Sequence, residues 1–255
     1  MLATVYLLPA FASEDSFQLS PPRRLTTHPA ADMEPALSPD GKWIAYTSNQ
    51  RGNRDIYLLP AEGGAPIPLT QSLADEYSPC WSPNGRLIAF VSDREDALGD
   101  IWYMSVNFWG VPKARFTRKV TYRKGYDGKP CFVNDNDGIV FSGDKTGRRE
   151  IWYVNLDGEG ARQISHTGGI SPAVHHQSGA LAYIRIDQDY PNGEVFYLPH
   201  FLSEEEPVQV SFSNMPSASP SCSPDGSELV VDRVTRGTDG VGMRTPADIH
   251  SLWNI

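Results

Sequence analysis

Three stretches decide the fold: EPALSPDGKWIAYT at 34–47, SPCWSPNGRLIAFV at 78–91 and SPSCSPDGSELVV at 219–231. Two looser copies lie between them, KPCFVNDNDGIVFS at 129–142 and SPAVHHQSGALAYI at 171–184. Their shared prolines are Pro35, Pro79, Pro130, Pro172 and Pro220. A repeat of roughly 40–50 residues holding several short strands is the signature of a β-propeller, in which each repeat is one blade. The fold class is therefore all-β: a propeller of four-stranded antiparallel blades, about five to six of them, with completeness at the two ends left open.

Residues 33–70 give the type blade. Pro35-Ala36-Leu37 is a first strand and Ser38-Pro39-Asp40-Gly41 a turn. Proline presets the second turn position, Ser and Asp bond to the turn backbone, and Gly accepts positive φ at its close. Trp43–Thr47 is a second strand, Asp55–Leu59 a third, and Pro66–Thr70 a fourth. Third strands recur at Asp100–Tyr103, Glu150–Tyr153 and Glu194–Tyr197, with a weaker copy at Asp248–His250. Fourth strands are expected to end in Ala114–Thr117, Arg162–Ser165 and Val208–Ser211. Near-continuous apolar and aromatic runs fit strands covered on both faces by neighbouring blades. The acid that opens each third strand is expected to be structural, accepting hydrogen bonds.

One domain spans 1–255, with repeats near 33–70, 76–117, 126–166 and 170–211 and partial repeats at 1–27 and 216–255. YLLPA occurs at 6–10 and again at 57–61, so the N-terminus reads as a third strand, Thr4–Leu8, and a fourth, Arg23–Thr27. That reading displaces a secretion signal in MLATVYLLPAFAS, which has no basic start. Two closures are expected. The C-terminal strands pair with Arg23–Thr27, or the chain is a fragment of a longer propeller cut within blades at both ends. Thr235–Ala247, rich in Gly and Thr, reads as a mobile loop.

Composition narrows the function. A net charge of −9 argues against a nucleic-acid partner, whose phosphates attract basic surfaces. No apolar run approaches the ~18 residues of a membrane span, so no membrane insertion is expected. Cys80, Cys131 and Cys222 fall one or two residues after a shared proline, which marks them as small apolar residues rather than a disulfide framework. No GxSxG elbow and no phosphate-cradling glycine loop are present, so no catalytic residue is assigned.

The pattern P-x-x-S-P-D-G-x-x-I-A-[YF], then [DE]-I-[YW], then G-G-x-P-x-x-L-T resembles the TolB-type repeat of the TolB-like and WD40-like propeller superfamily. It stands here as Pro35–Tyr46, Asp55–Leu59 and Gly63–Thr70. The blades at 129–142 and 171–184 depart from it, with Asn134–Gly138 and His175-His176-Gln177 replacing the turn. The resemblance implies a non-catalytic protein- or peptide-binding scaffold, periplasmic or exported. The same repeat also occurs in the regulatory propellers of prolyl oligopeptidase-like serine peptidases, whose catalytic domain lies outside the repeat. A carbohydrate-active, metal-dependent propeller enzyme is the third reading.

Propeller ligands bind where the loops between strands four and one, and between two and three, converge on the channel mouth. The candidates there are His28, Asp32, Glu34, Glu76, Tyr77, Asp127, Lys129 and His166. Residues two or three before each shared proline are expected to ring the axis. Asp32, Glu34, Glu76 and Asp127 would form an acidic ring able to dock a basic peptide or a cation. No cofactor is expected beyond such a cation, and no metal ligands are assigned. His175 and His176 are adjacent on an extended chain, point opposite ways, and read as a degenerate turn. Phe108-Trp109, in a hairpin that is normally polar, are candidate surface anchors for a partner.

Overall fold

The computed structural model describes residues 23–133, 137–212, 217–223, 225–236 and 242–251, with no side-chain description for 217–218 and 232–251. All regular structure among them is strand. Blade 1 is β1 (Asp32–Leu37), β2 (Trp43–Ser48), β3 (Asp55–Pro60) and β4 (Ile67–Pro68). Blade 2 is β5 (Glu76–Trp81), β6 (Leu87–Ser92), β7 (Asp100–Asn107) and β8 (Lys113–Lys119). Blade 3 is β9 (Asp127–Val133), β10 (Gly138–Gly143), β11 (Glu150–Asn155) and β12 (Arg162–Gln163). Blade 4 is β13 (Ile170–Val174), β14 (Leu181–Arg185), β15 (Glu194–Leu198) and β16 (Val208–Gln209). A fifth sheet holds β17 (Ser217–Cys222), β18 (Glu228–Arg236) and β19 (Gly242–Ser251). Every sheet is an antiparallel meander in chain order, and the sheets pack face to face as propeller blades.

The turn between strands one and two is built as its sequence dictates. The Ser38 hydroxyl donates to Asp40 (2.6 Å) and accepts from Trp43 N–H (2.9 Å), while Gly41 closes the turn at φ 71°. Ser82 with Asn84 and Ser223 with Asp225 repeat the arrangement. In blade 4 the ring of His175 takes the serine's place, its Nδ1 2.8 Å from Ser178 Oγ. His175 and His176 therefore belong to the turn between β13 and β14, at the end of β13 opposite Ser171. The turn residues Asn134–Asn136 lie outside the described residues.

A second repeated device fastens strand three to the end of strand four. Ile56 N–H donates to Thr70 Oγ1 (2.8 Å), and the same hydroxyl donates to Asp55 (3.1 Å). Thr121 with Asp100, Ser165 with Glu150 and Ser211 with Glu194 repeat it. The acid opening the third strand of each four-stranded blade is thus a structural acceptor, and the side chain of Asp248 lies outside the described residues. In blade 2 the hydroxyl is Thr121, not Thr117, so the expected strand end at Arg115-Phe116-Thr117 is four residues early. β8 carries the extra length, with a bulge opposite Met104–Val106.

Two further expectations are corrected. Arg23–Thr27 enters no strand pairing; its Leu25 packs instead against Tyr46, Tyr57 and Leu59 on the outer face of blade 1. Within the expected loop 235–247, Thr235 pairs with Met243 and Arg236 with Gly242, so β18 and β19 extend as a long ribbon. Thr4–Leu8 lies outside the described residues.

The core lies in the seams between blades. Trp81, Phe90 and Trp102 join Ile56 and Leu58 between blades 1 and 2, and Phe132, Phe141 and Trp152 join Ile101 between blades 2 and 3. Cys80, Cys131 and Cys222 are free, half-buried thiols packed against these seams.

Candidate binding site at the channel mouth

Each inner strand carries a bulge at its Xaa-Pro step. The residue before proline is left-handed in every one: Glu34 (φ 52°), Ser78 (54°), Lys129 (52°), Ser171 (52°) and Ser219 (48°). They are the non-glycine residues of positive φ among the described residues. Proline disfavours the α region for its predecessor, and the bulge sets the extra residue out of the ladder. Non-glycine residues held there cost on the order of 1–3 kcal/mol each, and such strain concentrates at functional sites.

Side chains from three blades meet at this level. The Glu34 carboxylate of blade 1 accepts from Ser78 N–H (2.8 Å) and Ser78 Oγ (2.8 Å) of blade 2, and pairs with the Lys129 ammonium of blade 3. Only an axial position lets one carboxylate reach both of the next two blades. Burial opposes ionisation of Glu34, but the Lys129 ammonium and the Ser78 donors outweigh it and hold the carboxyl below its usual range. Ser78 N–H also reaches Thr47 Oγ1 (3.2 Å), and Ser171 N–H bonds the equivalent Ser142 Oγ (3.1 Å).

Two of the acids that stand three residues before the prolines, Glu76 and Asp127, are buried and do not line the channel. Glu76 is fully buried, bonded to Arg94 (2.7 Å) and to Ser72 Oγ (2.5 Å). Arg94 in turn lies 4.5 Å over the Trp102 ring. Asp127 is buried at the same position of blade 3 with no hydrogen-bond donor in bonding geometry. Burial raises its carboxyl to about 6, only partly offset by Lys145 and the Thr121 hydroxyl. Lys145 stacks 4.8 Å over Trp152, and burial lowers its own pKa. Gly143 leaves room for the carboxylate here: a Cβ would stand 2.7 Å from Asp127 Oδ1 and displace it. Asp32 is half-buried at the start of β1. The four expected acids therefore divide, with Glu34 on the axis and Glu76 and Asp127 inside the seams.

The remaining candidates lie around the rim. Tyr77 is half-buried beneath the Arg54 guanidinium, 4.0 Å from its ring centre, and Arg54 bonds Asp75 (2.9 Å). His28 and His166 are exposed and separate; Nδ1 of His28 accepts from Ala30 N–H. The described residues contain no cluster of three or more His, Cys, Asp or Glu placed to hold a metal ion. Phe108 folds back between Trp43 of blade 1 (5.7 Å) and Trp81 of blade 2 (6.3 Å), whereas Trp109 is 91% exposed. Sequence reasoning missed Ser78 and Ser171 as axial residues, and Arg94 and Lys145 as seam cations. Their signal was available: each recurs at one fixed position of the repeat.

The family model for the TolB beta propeller domain matches residues 16–110 and 74–241. An uncharacterized protein of Agrobacterium fabrum is 27% identical over 216 residues, covering 77% of this chain and 68% of its own. The Tol-Pal system protein TolB of Bordetella pertussis is 33% identical over 126 residues, 49% of this chain and 27% of that protein. Among solved structures, TolB from Acinetobacter baumannii superposes with a TM-score of 0.70 at 18% identity, over 91% of this chain and 59% of that one. A Mycobacterium tuberculosis puromycin-hydrolyzing peptidase does so with a TM-score of 0.62 at 20% identity, over 88% of this chain and 37% of the peptidase. The chain thus spans about a quarter of the Bordetella protein's length.

Proposed function

The chain belongs to the TolB β-propeller domain family, and from that premise we propose that it is a non-catalytic scaffold that receives a protein or peptide partner at its channel mouth. One observation carries the reading: the ring of pre-proline residues held at positive φ, with Glu34, Ser78 and Lys129 already bonded across three blades. A paired carboxylate and ammonium at a narrow mouth offer a peptide both a donor and an acceptor, and the strained backbone fixes their positions beforehand. The TolB resemblance supports an exported or periplasmic setting. No helix of the described residues is long and apolar enough to cross a membrane.

The test compares the wild type with Glu34→Ala/Lys129→Ala on an array of synthetic 12-residue peptides. Peptides retained by the wild type are expected to be lost by the double variant, with the melting temperature shifted by only a few degrees. Equal retention by both proteins would remove the mouth from the reading. A regulatory propeller of a serine peptidase is the second reading, supported by the superposition on the puromycin-hydrolyzing enzyme. It requires a GxSxG-bearing hydrolase domain in the same reading frame, which sequencing of the surrounding DNA decides.

A further inference from the structure

The outer strand of blade 2 differs from the outer strands of the other four-stranded blades. β8 has seven residues, whereas β4, β12 and β16 have two each. As the last strand of its sheet it presents one unpaired backbone edge. Such an edge is a template for another extended chain, and proteins normally keep it short or covered. Here it is long, and Lys113, Arg115, Thr117 and Arg118 are exposed along it. Phe116 is 52% exposed and lies edge-on to Tyr103 at 5.9 Å.

The charge on this element runs against that of the molecule. Between residues 113 and 129 one acid, Asp127, stands among seven Lys and Arg, in a chain of net charge −9. Two of these cations are already engaged: Lys119 with Asp100 and Glu95 (2.7 and 2.9 Å), and Lys129 with Glu34. Burial works against the Lys119 charge, yet those two carboxylates hold its pKa above the usual lysine value. Lys113, Arg115, Arg118, Arg123 and Lys124 pair with no carboxylate among the described residues.

We propose that the β8 edge is a docking site for an extended acidic peptide segment, which adds to blade 2 as a fifth strand. Main-chain hydrogen bonds to the open edge would supply register and Phe116 an apolar contact. The unpaired cations would select an acidic strand and repel a second copy of β8 itself. This surface is separate from the mouth, so it stands or falls independently of the peptide reading given there.

The probe is a fluorescein-labelled 12-residue peptide of alternating Glu and Val, followed by anisotropy. The wild type is expected to bind it, more weakly as salt rises from about 50 to 500 mM. Lys113→Ala/Arg115→Ala/Arg118→Ala is expected to lose about tenfold in affinity while unfolding at the same denaturant concentration. The same peptide N-methylated at every residue keeps its charge but offers no N–H along either edge, and is expected to lose a comparable factor. Undiminished binding by the triple variant would place the contact elsewhere. Equal binding of the N-methylated peptide, or of a 12-nucleotide oligothymidylate, would reduce the patch to a general polyanion surface and overturn strand addition. No binding by the wild type, with the triple variant merely self-associating more, would leave the cations as guards of the edge and also overturn it.

Discussion

Asp127 shows how a repeat position changes chemistry by losing single groups. Blade 2 fills its seam with Glu76, Ser92 and Arg94, and the Glu76–Arg94 pair is 2.7 Å apart. Blade 3 has Asp127, Gly143 and Lys145 at those positions, and the shorter acid finds no donor in bonding geometry. The Lys145 ammonium and the Thr121 hydroxyl favour its ionised form, and the Asp100 and Asp144 carboxylates oppose it. Its carboxyl is raised to about 6, chiefly by burial, against about 3.9 in an unfolded chain. The folded state therefore binds the extra proton between those values, and stability contributed by Asp127 is lost as pH climbs through that window. The full difference is on the order of 3 kcal/mol. Asp127→Asn removes the titration, so the stability of the variant relative to wild type is expected to improve steadily from pH 4 to 6.5. Urea unfolding of both proteins across that range measures it. A constant difference would mean that Asp127 titrates as it does in the unfolded chain. None of this was legible from the sequence, where the position of Asp127 before Pro130 marks it as one of an acidic ring at the mouth.

At the scale of elements, sequence and structure agree wherever a local rule operates. The SPDG turns, the apolar second strands and the acid-led third strands all follow from turn chemistry and burial, which act over a few residues. The disagreements arise where a longer element overrides local pattern. Arg115-Phe116-Thr117 looks like Pro68-Leu69-Thr70, yet the hydroxyl that closes the blade is Thr121, because β8 is longer than other outer strands. The axial residues were half legible: the prolines marked the position, but the bulge that turns their predecessors inward has no residue signature beyond Xaa-Pro itself. Phe108-Trp109 was read as one aromatic anchor, and the structure divides it. Phe108 clamps Trp43 to Trp81 across two blades. Phe108→Ala is expected to cost about 1–3 kcal/mol, somewhat less than for a fully buried ring. Trp109→Ala is expected to stay within about 0.5 kcal/mol, since that side chain is 91% exposed. Chemical denaturation of the two variants separates them, and equal costs would show that Phe108 does not clamp the blades.

At the scale of the molecule, stability is a sum over seams, because each blade buries its faces only against its neighbours. The seams are unequal. Those flanking blade 2 bury Trp81, Phe90 and Trp102 on one side and Phe132, Phe141 and Trp152 on the other. The seam between blades 3 and 4 buries Tyr183, Phe196 and Phe201. The seam between blade 4 and the fifth sheet is made of Ala182, Ile184, Val195, Val210, Leu229 and Val231, with no fully packed aromatic ring among its buried members. Burial of an aromatic side chain removes some 150–250 Å² from water, so this last seam is held by far less apolar area. The sheets of blade 1 and the fifth sheet share no strand ladder among the described residues, so the fifth sheet gains no ladder support from that side. Local opening follows local burial. Native-state hydrogen exchange is therefore expected to rank the amides of β18 below those of β6 and β10. The β18 amides should exchange through a sub-global opening at low denaturant, while β6 and β10 wait for the whole propeller to unfold. Exchange of all three strands at one common free energy would mean that the seams act as a single cooperative unit, and that the aromatic-poor seam is as strong as the rest.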